Sequence, residues 1–157
     1  MLRIGLTGGI GTGKSTASKI LEKLSAYIFD ADKEAKKILL SNETIKSELI
    51  SEFGTDIMTG DGNVDNNKLA RVAFQDQDHQ LRLNTIVHPY VFKEIDKNFD
   101  RELDNGKHDI FVVDAALVYE SGADTHMDYV IVITALIKTR MERALARETL
   151  SREEILK

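Results

Sequence analysis

The sequence has 157 residues, of which 42% are hydrophobic and 30% are charged, and its formal net charge is −5. This composition is typical of a globular domain with its own core and excludes a disordered chain. The absence of cysteine excludes disulfides, thiol nucleophiles and cysteine metal sites. No apolar run reaches the length of a membrane span, and no signal region precedes the first apolar run. We therefore expect a cytoplasmic protein with no membrane or nucleic-acid partner.

A glycine-rich loop follows the first predicted strand. Residues 2–6 form a short apolar run that indicates a buried strand, and residues 8–15 (GGIGTGKS) fit the pattern G-x-x-x-x-G-K-[ST]. Apolar residues then recur at helical spacing over residues 17–24. A strand, a glycine loop and a helix in this order predict a phosphate-binding loop, whose backbone N–H groups and helix N-terminus bind a nucleoside triphosphate.

Each residue type in this loop has a predicted role. Lys14 would reach the β- and γ-phosphates, and the Ser15 hydroxyl would coordinate Mg²⁺. The expected nucleotide-binding residues are Gly8, Gly9, Ile10, Gly11, Thr12, Gly13, Lys14, Ser15 and Thr16. The alternative is a glycine-rich turn with an incidental lysine, but the flanking strand and helix favour nucleotide binding.

A long helical region follows the second predicted strand. It extends over about residues 33–105 and is interrupted by a turn-rich segment at 54–65. Asp65 should be the N-cap of the next helix, and Pro89 should end or kink a helix near His88. We interpret the region as an all-helical insert that forms a flap over the strand ends.

The remaining strands complete the predicted sheet. Apolar runs at 26–29, 110–113 and 129–133 indicate three further buried strands, and a helix should begin at about residue 138. Strands that alternate with helices predict a parallel sheet with helices on both faces, that is, an α/β P-loop NTPase or kinase fold. We expect a single P-loop kinase domain over residues 1–157, with the start of a lid at about 138–157.

Three carboxylates follow predicted strands at the edge where the loop opens. Asp30 and Asp32, two apart in an extended chain, would point to the same side. A carboxylate here could accept a proton from an acceptor hydroxyl as that hydroxyl attacks the γ-phosphate. The alternative is an N-cap for a helix that begins at Lys33, and Asp32 could serve as both. Asp114 fits an aspartate that holds Mg²⁺ through water, and its alternative is a strand-end turn residue.

Arg140, Arg143 and Arg147 lie along one face of the last predicted helix, because they are three and four residues apart. Such a stripe could be a solvated face or the charged face of a lid that closes over the transferring phosphoryl group.

The sequence does not indicate a GTPase. The guanine-binding motif N-K-x-D and the motif D-x-x-G, both typical of that class, do not occur in it. His88 could be a structural cap, and Tyr119 and Glu120 could line an acceptor pocket or an ordinary loop.

These residues resemble the dephospho-coenzyme A kinase family, and the agreement spans almost the whole chain. Residues 6–16 (LTGGIGTGKST) look like the opening of that family. Further matching positions are Asp30 to Asp32, Phe53-Gly54, Asp61-Gly62, Leu69-Ala70 with Phe74, Leu83-Asn84 with His88-Pro89, Asp128 to Val132, Arg143, Arg147 and Ser151 to Glu154. The chain departs from the family pattern at Asn66 and at Ala116.

The resemblance implies ATP-dependent phosphorylation of the ribose 3′-hydroxyl of dephospho-coenzyme A, with Mg²⁺ as cofactor and the helical insert holding the acceptor. The implied catalytic residues are Asp32, Lys14, Arg143 and Arg147; the implied acceptor contacts are Asp32, His88, Tyr119 and Glu120; the implied metal ligands are Ser15 and Asp114. The expected partners are ATP and dephospho-coenzyme A, in a monomer or weak homo-oligomer.

Two alternatives stay open at this point. One is another nucleoside or nucleotide kinase of the same fold, and the other is a truncated, non-catalytic nucleotide-binding domain. The second rests on the family pattern, which continues beyond the position of Lys157. We accordingly expect the 157-residue chain to bind ATP weakly and to have reduced or no turnover.

Overall fold

The computed structural model describes residues 1–146. Its strands are β1 (Leu2–Thr7), β2 (Tyr27–Asp30), β3 (Ile110–Asp114) and β4 (Tyr129–Val132). Its helices are α1 (Lys14–Lys23), α2 (Ala31–Ser41), α3 (Glu43–Phe53), α4 (Asn66–Ala73), α5 (Gln77–Asn105) and α6 (Ile137–Ala146), with short 3₁₀ helices at Thr55–Ile57 and Ala123–His126. Within this part of the chain, no helix is both long enough and apolar enough to cross a membrane.

The chain divides into two compact units. Of the described residues, the first contains 1–30 and 98–146, and the second is Ala31–Lys97. The second unit starts where β2 ends and contains α2, α3 and α4. It corresponds to most of the helical insert expected between the second and third strands.

The first unit is built on a four-stranded parallel sheet in the order β2-β3-β1-β4. Leu6 of β1 pairs with Asp114 of β3 and with Ile131 of β4, and Asp30 of β2 also pairs with Asp114. Because all strands run in one direction, their carboxyl ends and the loop after β1 lie along a single edge. The predicted α/β class with a parallel sheet is confirmed.

Helices cover both faces of this sheet, as alternate residues of β3 show. Val112 belongs to an apolar cluster that includes Leu21 of α1. Its neighbour Phe111 points to the other face, where its ring centroid lies 5.4 Å from that of Phe99 in α5. The rings of Tyr27 and Phe29 stack against Phe111 from β2, at 5.3 Å and 6.1 Å. Phe111 is therefore the centre of an aromatic cluster between sheet and helix.

We expect Phe111→Ala to lower the free energy of unfolding by about 3–5 kcal/mol, because the substitution leaves a large cavity in a close-packed core. Phe74→Ala is the matched control, since the Phe74 side chain is 62% exposed and its loss should cost no more than about 0.5 kcal/mol. Urea denaturation followed by circular dichroism measures both changes. Equal losses for the two variants would contradict this description of the core.

Side-chain caps begin two helices of the second unit. The Asn42 side chain accepts hydrogen bonds from the N–H groups of Thr44 and Ile45 at the start of α3. The Asp65 side chain does the same for Asn67 and Lys68 at the start of α4. The predicted role of Asp65 as an N-cap is confirmed.

Pro89 does not end a helix near His88, because α5 continues through it. That part of the prediction is wrong, and a kink at this position stays a prediction. A proline inside a helix removes one backbone hydrogen bond and clashes with the preceding turn. In α5, however, Val87, Val91 and Ile95 are buried at four-residue spacing on both sides of the proline. The burial of this apolar stripe outweighs the local cost, since most helix stability in proteins comes from tertiary packing.

The predicted extended geometry of Asp30 and Asp32 is also wrong. Asp30 is the last residue of β2, whereas Asp32 is the second residue of α2. The helix thus begins at Ala31, a buried residue with high helix propensity, and not at Lys33. Asp32 consequently lies in the first turn of α2, where the helix dipole stabilises a carboxylate, and it does not occupy the N-cap position.

Candidate active site

The phosphate-binding loop runs from the end of β1 to the start of α1 and is held by bonds of its own. Thr12 donates its backbone N–H, at 3.3 Å, and its hydroxyl, at 2.8 Å, to the carbonyl oxygen of Gly9. Gly11 and Gly13 have φ values of 74° and 101°, in the left-handed region that favours glycine. Gly13 caps α1, so the positive end of the helix begins at Lys14. This local structure is that of an anion-binding loop.

Lys14 and Asp114 form an ion pair at the carboxyl edge of the sheet. The Nζ atom of Lys14 donates to Oδ1 of Asp114, and the two side chains are only 19% and 12% exposed. The register of the sheet places Asp114 beside Leu6, shortly before the loop begins. A phosphate bound by the loop would compete with Asp114 for the lysine ammonium group. The predicted phosphate ligand and one predicted Mg²⁺ ligand are therefore in direct contact.

A cavity of about 700 Å³ opens on the loop. Its lining comprises Thr7, Gly8, Gly9, Ile10, Gly11, Gly13, Lys14, Ser15, Ala116, Leu117, Tyr119, Glu120, Val132 and Arg140. The structure thus brings Tyr119 and Glu120, which follow β3, to the same cavity as Lys14 and Ser15. Their contact with an acceptor stays a prediction, as does the role of Ser15 as a metal ligand.

Arg143 contacts the loop from α6. Its Nη1 atom lies 3.2 Å from the carbonyl oxygen of Gly11 and 3.4 Å from that of Thr12. Arg143 also lines a second cavity, of about 610 Å³. Thr12 of the loop and residues of α1 that include Thr16 line the same cavity. The predicted nucleotide-binding residue Thr16 therefore faces this second cavity. The other predicted lid residue, Arg147, lies outside the described residues.

Arg140 belongs to the arginine stripe that was predicted to be a solvated face or a lid, but it was not among the implied catalytic residues. In the structure it contacts the loop. Its Nε atom donates to the carbonyl oxygen of Ile10 at 2.9 Å, and its side chain lines the larger cavity. The sequence signal for it was its position on the same helix face as Arg143, three residues earlier. That spacing does not show which members of an arginine stripe reach a loop more than a hundred residues away.

The predicted residues Asp32 and His88 belong to the second unit. Asp32 is the second residue after the carboxyl end of β2, with Ala31 between them. His88 lies in the middle of α5, with its ring centroid 6.0 Å from that of Phe92. Partial burial lowers the pKa of His88 and favours the neutral imidazole. The catalytic role of Asp32 and the acceptor contact of His88 stay predictions.

A cation site would depend on Ser15 and Asp114. No cluster of three or more histidine, aspartate or glutamate side chains that could hold a metal ion occurs among residues 1–146. Mg²⁺ in phosphoryl transfer is bound by one or two protein groups together with water and phosphate oxygens. A hydroxyl at the end of the loop and a carboxylate beside it fit this kind of site.

Comparison with known proteins identifies the same family across the chain. The family model for dephospho-CoA kinase matches residues 2–157. The chain is 39% identical over 153 residues to a dephospho-CoA kinase from Carboxydothermus hydrogenoformans, covering 98% of this chain and 74% of that protein. It is 38% identical over 151 residues to a dephospho-CoA kinase from Fusobacterium nucleatum, covering 96% of this chain and 75% of that protein.

Solved structures agree with this result. The protein TT1252 from Thermus thermophilus has a TM-score of 0.77 and 30% identity, over 99% of this chain and 76% of that chain. A dephospho-CoA kinase from Campylobacter jejuni has a TM-score of 0.66 and 27% identity, over 98% of this chain and 76% of that chain. Phosphate loop, parallel sheet and sequence identity all lead to one conclusion: the chain belongs to the dephospho-CoA kinase family.

Proposed function

We propose that the protein transfers the γ-phosphoryl group of ATP to the ribose 3′-hydroxyl of dephospho-coenzyme A, which is the last step of coenzyme A synthesis. The observation that carries this proposal is the shared cavity at the loop. Lys14 and the loop backbone line it together with Tyr119 and Glu120. A triphosphate and an acceptor could meet there, and the family relationship specifies which acceptor.

The triphosphate would be bound by backbone N–H groups of the loop and by Lys14. Phosphoryl transfer is catalysed mainly by positioning and by stabilising charge on the transferring group. Arg143 contacts the loop and, with Arg147, would supply positive charge to that group. Asp114 holds the Lys14 ammonium at the loop, where a phosphate oxygen would replace the carboxylate as its partner.

Asp32 would accept the proton of the acceptor. In the proposed step the 3′-oxygen forms a bond to the γ-phosphorus, the bond from this phosphorus to the β,γ-bridging oxygen breaks, and ADP leaves. The hydroxyl proton passes to the Asp32 carboxylate. Contacts of the acceptor with His88 in the helical insert, and with Tyr119 and Glu120 after β3, are part of this proposal.

Mg²⁺ would be held by the Ser15 hydroxyl and, through water, by Asp114. A cation held by these two side chains would neutralise part of the charge of the triphosphate. Ser15 lines the cavity at the loop, and Asp114 is the last residue of β3, beside Leu6 of β1, in agreement with such a site. We place the reaction in the cytoplasm.

A panel of acceptors tests the substrate. ADP release from Mg·ATP is measured with dephospho-coenzyme A, AMP, CMP and shikimate, and calorimetric titration measures the binding of each acceptor. We expect dephospho-coenzyme A to give the largest kcat/KM and the tightest binding. Turnover with a nucleoside monophosphate or shikimate but none with dephospho-coenzyme A would refute the assignment.

A further inference from the structure

The guanidinium group of Arg140 is anchored on the phosphate loop with most of its donors still available. Only Nε is used there, in the 2.9 Å bond to the Ile10 carbonyl oxygen. A guanidinium carries five N–H donors, so four remain on the terminal nitrogens. The side chain lines the cavity that also contains Lys14 and Ser15. A fixed, planar group with free donors suits a tetrahedral oxyanion.

The absence of a side chain at Gly9 allows this position of Arg140. A Cβ atom at Gly9 would lie 2.4 Å from Nη2 and 3.1 Å from Cζ of Arg140. Such a contact is far below van der Waals distance, so a side chain at residue 9 would displace the guanidinium from its present place against the loop. The terminal nitrogens of Arg140 therefore lie directly against the loop backbone.

The charge of Arg140 is not compensated by a carboxylate of the described chain. Other arginines of residues 1–146 form ion pairs, for example Arg82 with Glu52 and Arg101 with Glu102. No such pair within the described ranges includes Arg140. Lys14, the other cation of the cavity, is paired with Asp114. Arg140 thus gives the cavity a positive charge without an opposite charge bonded to it.

We propose that Arg140 is a second phosphate-binding cation of this site, in addition to Lys14. The Ile10 carbonyl orients its guanidinium, and the terminal nitrogens donate to phosphate oxygens of ATP held by the loop. This proposal rests on the proposed function for the identity of the anion, and it adds a contact residue to it. The competing role is that of a mechanical brace, in which Arg140 only holds the loop to α6.

Two substitutions separate the two roles. Arg140→Gln keeps an N–H donor for the Ile10 carbonyl but removes the charge, whereas Arg140→Lys keeps the charge and loses the planar fork. Titrations use ATP, inorganic tripolyphosphate and adenosine as separate probes, without acceptor. Lys138→Gln is the matched control, because it removes one positive charge from an exposed position of the same helix. Thermal unfolding verifies that every variant is folded.

For Arg140→Gln we expect the Kd of ATP and of tripolyphosphate to rise by about 10- to 100-fold, the value of one charge-assisted hydrogen bond, and the Kd of adenosine to stay unchanged. Arg140→Lys should bind both anions about fivefold tighter than Arg140→Gln, because it retains the charge. Lys138→Gln should behave as the wild type does.

Equal weakening by the Gln and Lys variants, or a loss of adenosine binding equal to the loss of ATP binding, would overturn the proposal in favour of the brace. Because no acceptor is present, these results do not depend on dephospho-coenzyme A as substrate. Failure of the wild-type chain to bind ATP would instead overturn the proposed function and this contact together.

Discussion

Asp32→Asn should lower kcat by about 10²- to 10⁴-fold, the usual contribution of a general base to a proton transfer. Asparagine is nearly isosteric with aspartate but does not accept the proton of the 3′-hydroxyl. The Kd of ATP should change little, because the triphosphate is bound by the loop and Lys14. Steady-state ADP release with dephospho-coenzyme A, together with calorimetric titration of ATP, measures both quantities.

Glu34→Gln is the control for Asp32, since it removes another carboxylate from the first turn of α2. If Asp32 acts only through the helix dipole, both variants should lose at most about 1 kcal/mol of stability and retain their kcat. An Asp32→Asn variant with undiminished kcat would leave Asp32 a purely structural role. A large loss in kcat for Glu34→Gln as well would indicate a general disturbance of α2.

Lys14→Met should reduce kcat/KM by about 10²- to 10³-fold, comparable to removing one preorganised donor from a developing negative charge. Methionine keeps the length of the side chain and removes the ammonium group that would contact the β- and γ-phosphates. The Kd of ATP should rise as well, because Lys14 also contacts the ground-state triphosphate. Lys23→Met, an exposed substitution in the last turn of α1, is the matched control and should change neither quantity.

The ion pair of Lys14 with Asp114 calls for one more variant. Lys14→Met leaves a carboxylate of 12% exposure without its partner, which by itself could disturb the loop. The double variant Lys14→Met with Asp114→Asn removes this uncompensated charge. We expect its stability to recover while its activity remains low. Recovery of activity in the double variant would show that Lys14 acts only by neutralising Asp114.

The features that could be predicted from sequence are those encoded in short stretches. The loop and its flanking elements are specified by glycines at fixed spacing between an apolar run and a helical repeat. The cap at Asp65 depends only on N–H groups two and three residues further on. These features need no knowledge of distant parts of the chain, and the structure confirms them.

The features that sequence reasoning missed depend on tertiary structure or on small shifts of an element. The Val87, Val91 and Ile95 stripe is buried across Pro89, so packing overrides the local effect of the proline. The start of α2 lies two residues earlier than expected, which changes the orientation of Asp32 relative to Asp30. Helix ends are the least certain feature of any sequence pattern, because they depend on a few weak interactions.

Long-range contacts of the site are a separate case. Arg140 and Ile10 are 130 positions apart, and Lys14 and Asp114 are 100 positions apart. These pairs meet because β3 and β4 both pair with β1, which brings the residues after each strand to the loop. A pattern within one segment can indicate a candidate cation or carboxylate, but only the order of the strands determines which ones meet.

If the loop presents ATP to the 3′-hydroxyl of dephospho-coenzyme A, as we claim, ³¹P NMR of the reaction should show where the phosphoryl group goes. The wild-type chain is incubated at high protein and Mg·ATP concentrations with dephospho-coenzyme A, because weak ATP binding and reduced turnover are expected of these 157 residues. The position of the transferred phosphorus is assigned by its coupling to ribose protons. The predicted result is one new phosphomonoester signal coupled to H3′, which grows as the γ-phosphate signal declines. Appearance of inorganic phosphate alone, or of a phosphoryl group on any other hydroxyl, would contradict the claim.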